Sequence, residues 1–509
     1  MVRISADLLP RIAESWGQKN TYYIDPFQGR EHKWIQTQHN LFRRMNPIYA
    51  CDNPKQLTPY NSRVYFNQRN LSGCGGMMLP LSFAQRLHLD DKLETVLDHN
   101  GYKYTTSDLI LSTLSSIIAG APRLYDVNHL RRDPGLTRVM ALEELPEEGN
   151  LRKQLAHLTP KEVEALQRVH REVLAQCNQT EKPVEIGIDF DLTTATVYSE
   201  HKGGKKGYNP HKKGRPCYQI PVAFISNNGD CIAMELAEGN TNCLTAFKTF
   251  FQYVRKQLPS NYIIRFARLD KGYFSNETFA EFEEYDIYYV SGAKASGDLL
   301  SLARRLDTYQ KVESSDKEEN PGDSLFWITE LDYKCDSWEK FRRFIIVKEQ
   351  TPNPEYNSQD VNLFGEPRKP EYLEEYHFYV TNIPYDKLDA VNIWRSYNQR
   401  ATVENRIKES KLGFYLDKLP SHNPDGNAFY VKLVALAYNL MNGFKRFVLP
   451  VEFRTKSIRW LRFYLIMLPA LIERRKYQWF VKFPVYYPYP EVFRYALAQL
   501  ARGQPKYKV

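Results

Sequence analysis

The chain has 509 residues, 42% of them apolar and 25% charged, with a formal net charge of +9. That length exceeds one ordinary domain, the apolar share is enough for a real core and the charged share is typical of a soluble protein, so two to four modules are expected. The positive excess is local: residues 450–509 carry twelve Lys or Arg against Glu452, Glu473 and Glu491, and the other residues balance, a distribution that suits a polyanion partner. The seven cysteines (Cys51, Cys74, Cys177, Cys217, Cys231, Cys243, Cys335) are widely spaced and form no Cys-x-x-Cys pair. This argues against a disulfide framework and a structural zinc site. The most apolar run, Phe463–Ile472, is too short to span a bilayer, and the start MVRISADLLPRIAESW has no apolar leader. The expectation is a cytoplasmic protein with no membrane contact.

In chain order, residues 1–178 read as an N-terminal, mostly helical region. The first 80 residues are punctuated by Pro, Asn and Gly. TTSDLILSTLSSIIAG follows, with an N-cap at Thr106 or Ser107, then a helix opened by Thr159, Pro160 and Glu162, a capping box. Residues 179–294 change texture. VEIGIDFD (184–191), TATVYSEH (194–201), YQIPVAFIS (218–226) and CIAMELAEG (231–239) are strand candidates. A helix over 243–258, a strand over 263–270, a helix over 276–285 and the strand IYYVSGA complete an α/β pattern on a mixed sheet. Residues 295–385 read as an inserted β module. A polar stretch over 296–323 leads into strands at 325–334, 342–350 and 376–383. Residues 386–448 hold a long helix from Lys387 to Gly413 and an apolar one over 429–447. Residues 449–509 form a basic C-terminal region with a helix over 458–475.

Asp189 and Asp191 end VEIGIDFD, and their spacing of two puts both on one strand face. Asp270 ends IIRFARLD, before the turn at Lys271–Gly272. Strand C-terminal ends of open α/β sheets are where sites form, and an acid there must be solvated, paired or metal-bound. On the long helix, Tyr397, Arg400, Glu404, Lys408 and Lys411 are spaced 3, 4, 4 and 3 residues apart, one polar stripe. The stripe is either a solvated face or the face of an active site.

YNQRATVENRIKESK, with Tyr, Arg, Glu and Lys at 397, 400, 404 and 411, resembles the signature of insertion-sequence DDE transposases of the type-4 superfamily. DFDLTT resembles their first-aspartate strand and RLDKGYFS their second. YNPHKKGRPCY and HLRRDPGL point further to insertion-sequence family 1380. The resemblance covers roughly residues 75–445. It implies a ribonuclease-H-like catalytic core split by the β module, with residues 179–294 and 386–448 as its two parts, and DNA binding by residues 1–178. The implied catalytic and metal-binding acids are Asp191, Asp270 and Glu404, with Asp189 as the alternative first acid. Their cofactors would be two Mg2+ ions, with Mn2+ as a substitute. Tyr397, Arg400, Lys408 and Lys411 would contact DNA, as would the basic segment 201–215 through Lys205, Lys206, His211, Lys212, Lys213 and Arg215. Trp327 either stacks on a flipped base or fills a β core. The implied partners are double-stranded DNA, as terminal inverted repeats and target, and a second copy of the chain in a homodimer. The implied location is the bacterial nucleoid. A catalytically inactive DNA-binding protein and a structure-selective nuclease are the alternatives.

Overall fold

Val184–Thr196 (β1) carries alternating apolar side chains, and Ile186, Ile188 and Phe190 face one side of a large sheet. The computed structural model describes residues 20–24, 31–35, 65–97, 103–180, 182–210, 212–312, 324–360, 362, 364 and 366–502. Contacts divide the chain into units 1–69 and 70–509. The described part of the first includes a hairpin, Asn20–Ile24 antiparallel to Glu31–Ile35.

In the second unit, β1 pairs antiparallel with Pro216–Ile225 (β2), which pairs antiparallel with Cys231–Met234 (β3). On its other edge β1 runs parallel to Tyr262–Leu269 (β4), itself parallel to Tyr288–Gly292 (β5). The spatial order β3-β2-β1-β4-β5 is the mixed sheet of a ribonuclease-H-like core. The helix Cys243–Gln257 lies between β3 and β4 in the chain, and Asn276–Glu284 between β4 and β5. Both cover one face: Phe247, Phe250, Phe251 and Phe282 all meet Phe190, with ring centroids 5.4–6.2 Å away. These edge-on and tilted contacts add about 0.5–1.5 kcal/mol each beyond buried area.

The opposite face is built on Pro424–Val448, which packs against Pro160–Cys177 and Thr106–Ala119. Two capping boxes start the N-terminal helices. One is the expected box at Thr159, whose N–H donates to Glu162 at 2.9 Å. The other sits one residue earlier than expected, with Thr105 and Asp108 reciprocally bonded.

Elsewhere the structure departs from the sequence reading. β1 does not stop at Asp191 but runs to Thr196, because the β-branched Thr193, Thr194 and Thr196 continue the ladder against β2. Within 296–323, Gly297–Arg305 is a helix, capped by Ser296 and anchored by buried Leu299 and Ala303 one turn apart; residues 313–323 lie outside the described residues. The strands of the 295–385 interval, Leu325–Tyr333 (β6), Arg342–Pro352 (β7) and Tyr372–Thr381 (β8), extend the core sheet, with β8 antiparallel to β5. The long helix is two, Ala390–Asn398 (α1) and Ala401–Leu412 (α2). At the joint the Arg400 N–H donates to Tyr397 O at 2.8 Å, a tightened i→i−3 bond, and the Thr402 hydroxyl donates to Gln399 O at 2.8 Å.

The expected helix over 458–475 is the largest miss. Ile458–Leu461 is helical, and Arg462–Ile466 is a π-turn. Beyond Pro469, which has no N–H and clashes with the preceding turn, Ala470–Arg475 is a strand paired with Gln478–Lys482 and with Leu71–Ser72. Among the described residues, no helix is long and apolar enough to cross a membrane.

Candidate active site

Asp189 and Asp191 share a face of β1 but not an environment. Asp189 has no solvent exposure. Arg268 of β4 donates to it through Nε at 2.5 Å and Nη2 at 3.0 Å, and Arg406 of α2 through Nη1 at 3.1 Å. Its acceptor capacity is spent on two cations inside the protein. Asp191 is 8% exposed and lines an open cleft. Its Oδ2 accepts from Arg400 Nη2 at 2.6 Å and its Oδ1 from the Leu192 N–H at 2.7 Å. Burial pushes its pKa up to about 6; Arg400 and the Leu192 N–H oppose this, and Asp270 and Glu404 add to it.

The last paired residues of the parallel β1–β4 ladder are Phe190 and Leu269. Asp191 and Asp270 are therefore the next residues on neighbouring strands. Asp270 caps the short turn Lys271–Tyr273 and accepts from the Lys271 N–H at 2.6 Å. Glu404 lies in the first turn of α2 with an exposed side chain, 3.6 Å from Arg400 Nη1. Arg400 is buried and its Nε has no acceptor among the described residues. Its guanidinium sits among the three acids, and burial, which lowers its pKa, is outweighed by Asp191, Tyr397, Asp270 and Glu404. Tyr397, on α1, rests its ring 4.6 Å from that of Tyr379; burial raises its pKa, Arg400 opposes, and Asp270 and Asp191 reinforce.

The cleft, about 960 Å3, is lined by Asp191 and Glu404 together with the cations Arg123, Arg152, Lys212, Lys408 and Lys411. Burial lowers the pKa of Lys411, while Asp417 and Asp191 oppose. Buried Asn209 braces the basic hairpin, donating to Thr196 Oγ1 at 3.0 Å and accepting from the Lys212 N–H at 3.0 Å. Lys212 thereby reaches the cleft, whereas Lys205 is ion-paired with Glu238 at 2.6 Å. Lys206, Lys213 and Arg215 are exposed, and the Arg215 guanidinium lies 6.0 Å from the Tyr198 ring. His211 lies outside the described residues. Trp327, on β6, is half-buried, with Nε1 donating to Gln350 at 2.9 Å and Lys348 over its ring. It is neither wholly buried nor a free stacking platform.

Among the described residues, no three His, Cys, Asp or Glu side chains close into a metal-binding group. The donor set nonetheless fits hard cations. It is all carboxylate, and Asp270 and Glu404 destabilise the charged form of Asp191, a repulsion that a dication relieves. Sequence reasoning missed Arg268, Arg406, Arg123 and Arg152, and also His422, whose ring is tilted against that of His201, 4.8 Å away on the cleft wall. Arg268 and Arg406 carried one usable signal, a position two residues from Asp270 and Glu404.

The family described as transposase DDE domain group 1 matches residues 57–505. No curated protein matches the sequence. Among solved structures, a cryo-EM structure of a piggyBac transposase synaptic complex with hairpin DNA aligns at 11% identity and a TM-score of 0.31, covering 74% of this chain and 80% of that one.

Proposed function

The chain belongs to the transposase DDE domain group 1 family, and on that premise we propose that it binds the terminal inverted repeats of a mobile element, cuts them and joins them to target DNA. The observation that carries this reading is the setting of Asp191. It stands beside Asp270 on the neighbouring strand and against Arg400, with Glu404 one helical turn further along, at the wall of a cation-lined cleft.

Asp191, Asp270 and Glu404 would hold two divalent ions, magnesium or manganese. Bound there, these supply activation of the attacking oxygen and stabilisation of the leaving oxygen. Lys212, Lys408, Lys411, Arg123 and Arg152 grip the phosphate backbone along the cleft. Arg400, bonded to Asp191, positions a phosphate oxygen beside the scissile bond. Tyr397 packs beneath that phosphate. In the first step water attacks phosphorus, the P–O3′ bond breaks, and a free 3′-hydroxyl and a 5′-phosphate remain. In the second, that 3′-hydroxyl attacks the opposite strand, exchanging one phosphodiester for another and closing a hairpin that water reopens. The freed 3′-hydroxyls then attack target DNA. A homodimer brings two ends together.

Asp191→Ala, Asp270→Ala and Glu404→Ala are each expected to slow nicking of end-containing DNA by more than about 1000-fold. DNA binding, followed by fluorescence anisotropy, should persist. Nicking by the Glu404→Ala protein at the wild-type rate would falsify the assignment. Strand joining separates this reading from that of a nuclease: cut ends incubated with a target plasmid should yield a covalently joined product.

A further inference from the structure

Each element that carries or leads into one of the three acids also carries, two residues away, one member of a second ionic group. Asp189 precedes Asp191 on β1, Arg268 on β4 precedes Asp270 just past its end, and Arg406 follows Glu404 on α2. On the strands, a spacing of two keeps both members on one face. On the helix it places Arg406 about 200° round from Glu404, so Arg406 reaches the sheet while Glu404 stays exposed. The three side chains meet inside the protein, and Asp189 accepts three N–H bonds from the two arginines.

The arginines also tie down the surrounding backbone. Arg268 Nη1 donates to Ser396 O on α1 at 2.9 Å. Arg406 donates to Ser226 O at 2.9 Å and Ile225 O at 3.3 Å, at the end of β2. Val403, the buried apolar side chain of α2, offers a contact without direction. Directional bonds are needed to stop the helix rolling about its axis. Two rungs supply them: Arg400 to Asp191 and Arg406 to Asp189, on either side of Val403 and six residues apart in sequence. A well-packed apolar cluster could stabilise this place as well as ions do; what a hydrogen-bonded ion group adds is a specified geometry.

We propose that the triad Arg268–Asp189–Arg406, buried at Arg268 and Asp189 and half-buried at Arg406, is a positioning device that fixes the roll of α2 over β1 and β4, and so sets where Glu404 meets Asp191 and Asp270. The three residues act through the acids and do not themselves touch the reacting phosphate. This role rests on the reading of Asp191, Asp270 and Glu404 as the catalytic acids.

The test uses the full-length chain with end-containing DNA. Arg406→Lys keeps the charge facing Asp189 and loses the fork that reaches β2. Asp189→Asn keeps the shape and loses the charge, and Asp191→Asn is the control. Four quantities are measured: melting temperature, DNA affinity, single-turnover cutting, and Mn2+ binding by the protein–DNA complex, read from the free-ion electron paramagnetic resonance signal. Arg406→Lys should weaken Mn2+ binding and slow cutting by about 10- to 100-fold, with DNA affinity within about twofold of wild type. Asp189→Asn should move the same quantities in the same direction. Wild-type Mn2+ binding and cutting in both variants overturns the proposal. So does an Asp189→Asn protein that loses Mn2+ as completely as Asp191→Asn while Arg406→Lys is normal, because Asp189 is then itself a ligand. If Asp191→Asn cuts normally, the assignment of the acids fails first, and the positioning role falls with it.

Discussion

Gly292 ends β5 where three parts of the site crowd together. A methyl group on its Cα would lie 2.9 Å from the Tyr397 hydroxyl and 3.2 Å from the Lys271 nitrogen. Neither neighbour yields freely: the Tyr397 ring is packed on Tyr379, and the Lys271 N–H is bonded to Asp270. Gly292→Ala should therefore displace the Asp270 turn, lowering stability by about 1–3 kcal/mol. It should also slow cutting by at least about tenfold, since small misplacements of reacting groups are expensive. Melting curves and single-turnover rates check both, and an alanine variant with wild-type values would contradict the packing. The same scale shows what the spacing leaves open: only the family resemblance favours Asp191 over Asp189 as the first acid. A spacing of two says that Asp189 and Asp191 share a face, and nothing local tells them apart. The partners that give the two different surroundings are Arg268 and Arg406, 79 and 217 residues from Asp189. They meet it only once β4 and α2 are in place.

Among the elements, Pro160–Cys177, Pro424–Val448 and β3 meet in a buried polar network. Asn439 donates to His170 Nε2 at 2.9 Å and to Cys231 O at 2.7 Å, and accepts from the Cys231 N–H at 2.7 Å. Gln167 lies 3.4 Å from His170 Nδ1, and Lys432 adds a like charge. Burial first, and then Lys432, depress the His170 pKa to about 3 from an ordinary 6.5. The imidazole stays neutral in the folded protein while the unfolded chain takes up a proton below pH 6.5. Its contribution to stability is therefore complete above pH 6.5 and is lost as pH falls towards 3. By pH 5 the loss is about 2 kcal/mol. Calorimetry from pH 7.5 to 5 should show a steeper fall in melting temperature for wild type than for His170→Gln; parallel slopes would rule out a neutral His170. These helices were legible because a capping box and a 3.6-residue apolar period are local signals, as at Thr159 and Glu162. The break at Gln399–Arg400 was not, since both residues keep right-handed helical backbone angles and only the hydrogen bonding tightens. The hairpin at 470–482 was hidden by an apolar run whose period suits a helix as well as a strand. Pro469 was the local cue, and pairing with Leu71–Ser72, some 400 residues earlier, is tertiary.

For the molecule as a whole, the balance of charge matters less than where the cations stand. The sequence pointed to the basic C-terminal sixty residues, to segment 201–215, and to Lys408 and Lys411 on the long helix. The cleft takes Lys212 from that segment and Lys408 and Lys411 from the helix stripe, and adds Arg123, Arg152 and Lys418. They do not count equally. Arg152 already donates to Glu148 at 2.5 Å and Lys411 is half-buried, whereas Lys212 and Lys408 are exposed and no acidic partner is found for either among the described residues. These two should therefore make the clearest phosphate contacts. Each phosphate neutralised releases condensed counterions, and the slope of log K against log salt changes by about 0.9 per contact. Lys212→Ala/Lys408→Ala should thus flatten the salt dependence of duplex binding by about 1.8 and weaken binding by a similar factor on end-containing and unrelated DNA, since phosphate contacts carry no sequence information. Anisotropy titrations over a range of salt concentrations on both duplexes measure this. An unchanged slope would mean that DNA runs outside the cleft. A loss confined to end-containing DNA would mean that the two lysines reach base edges, and that this wall of the cleft takes part in reading the element's ends.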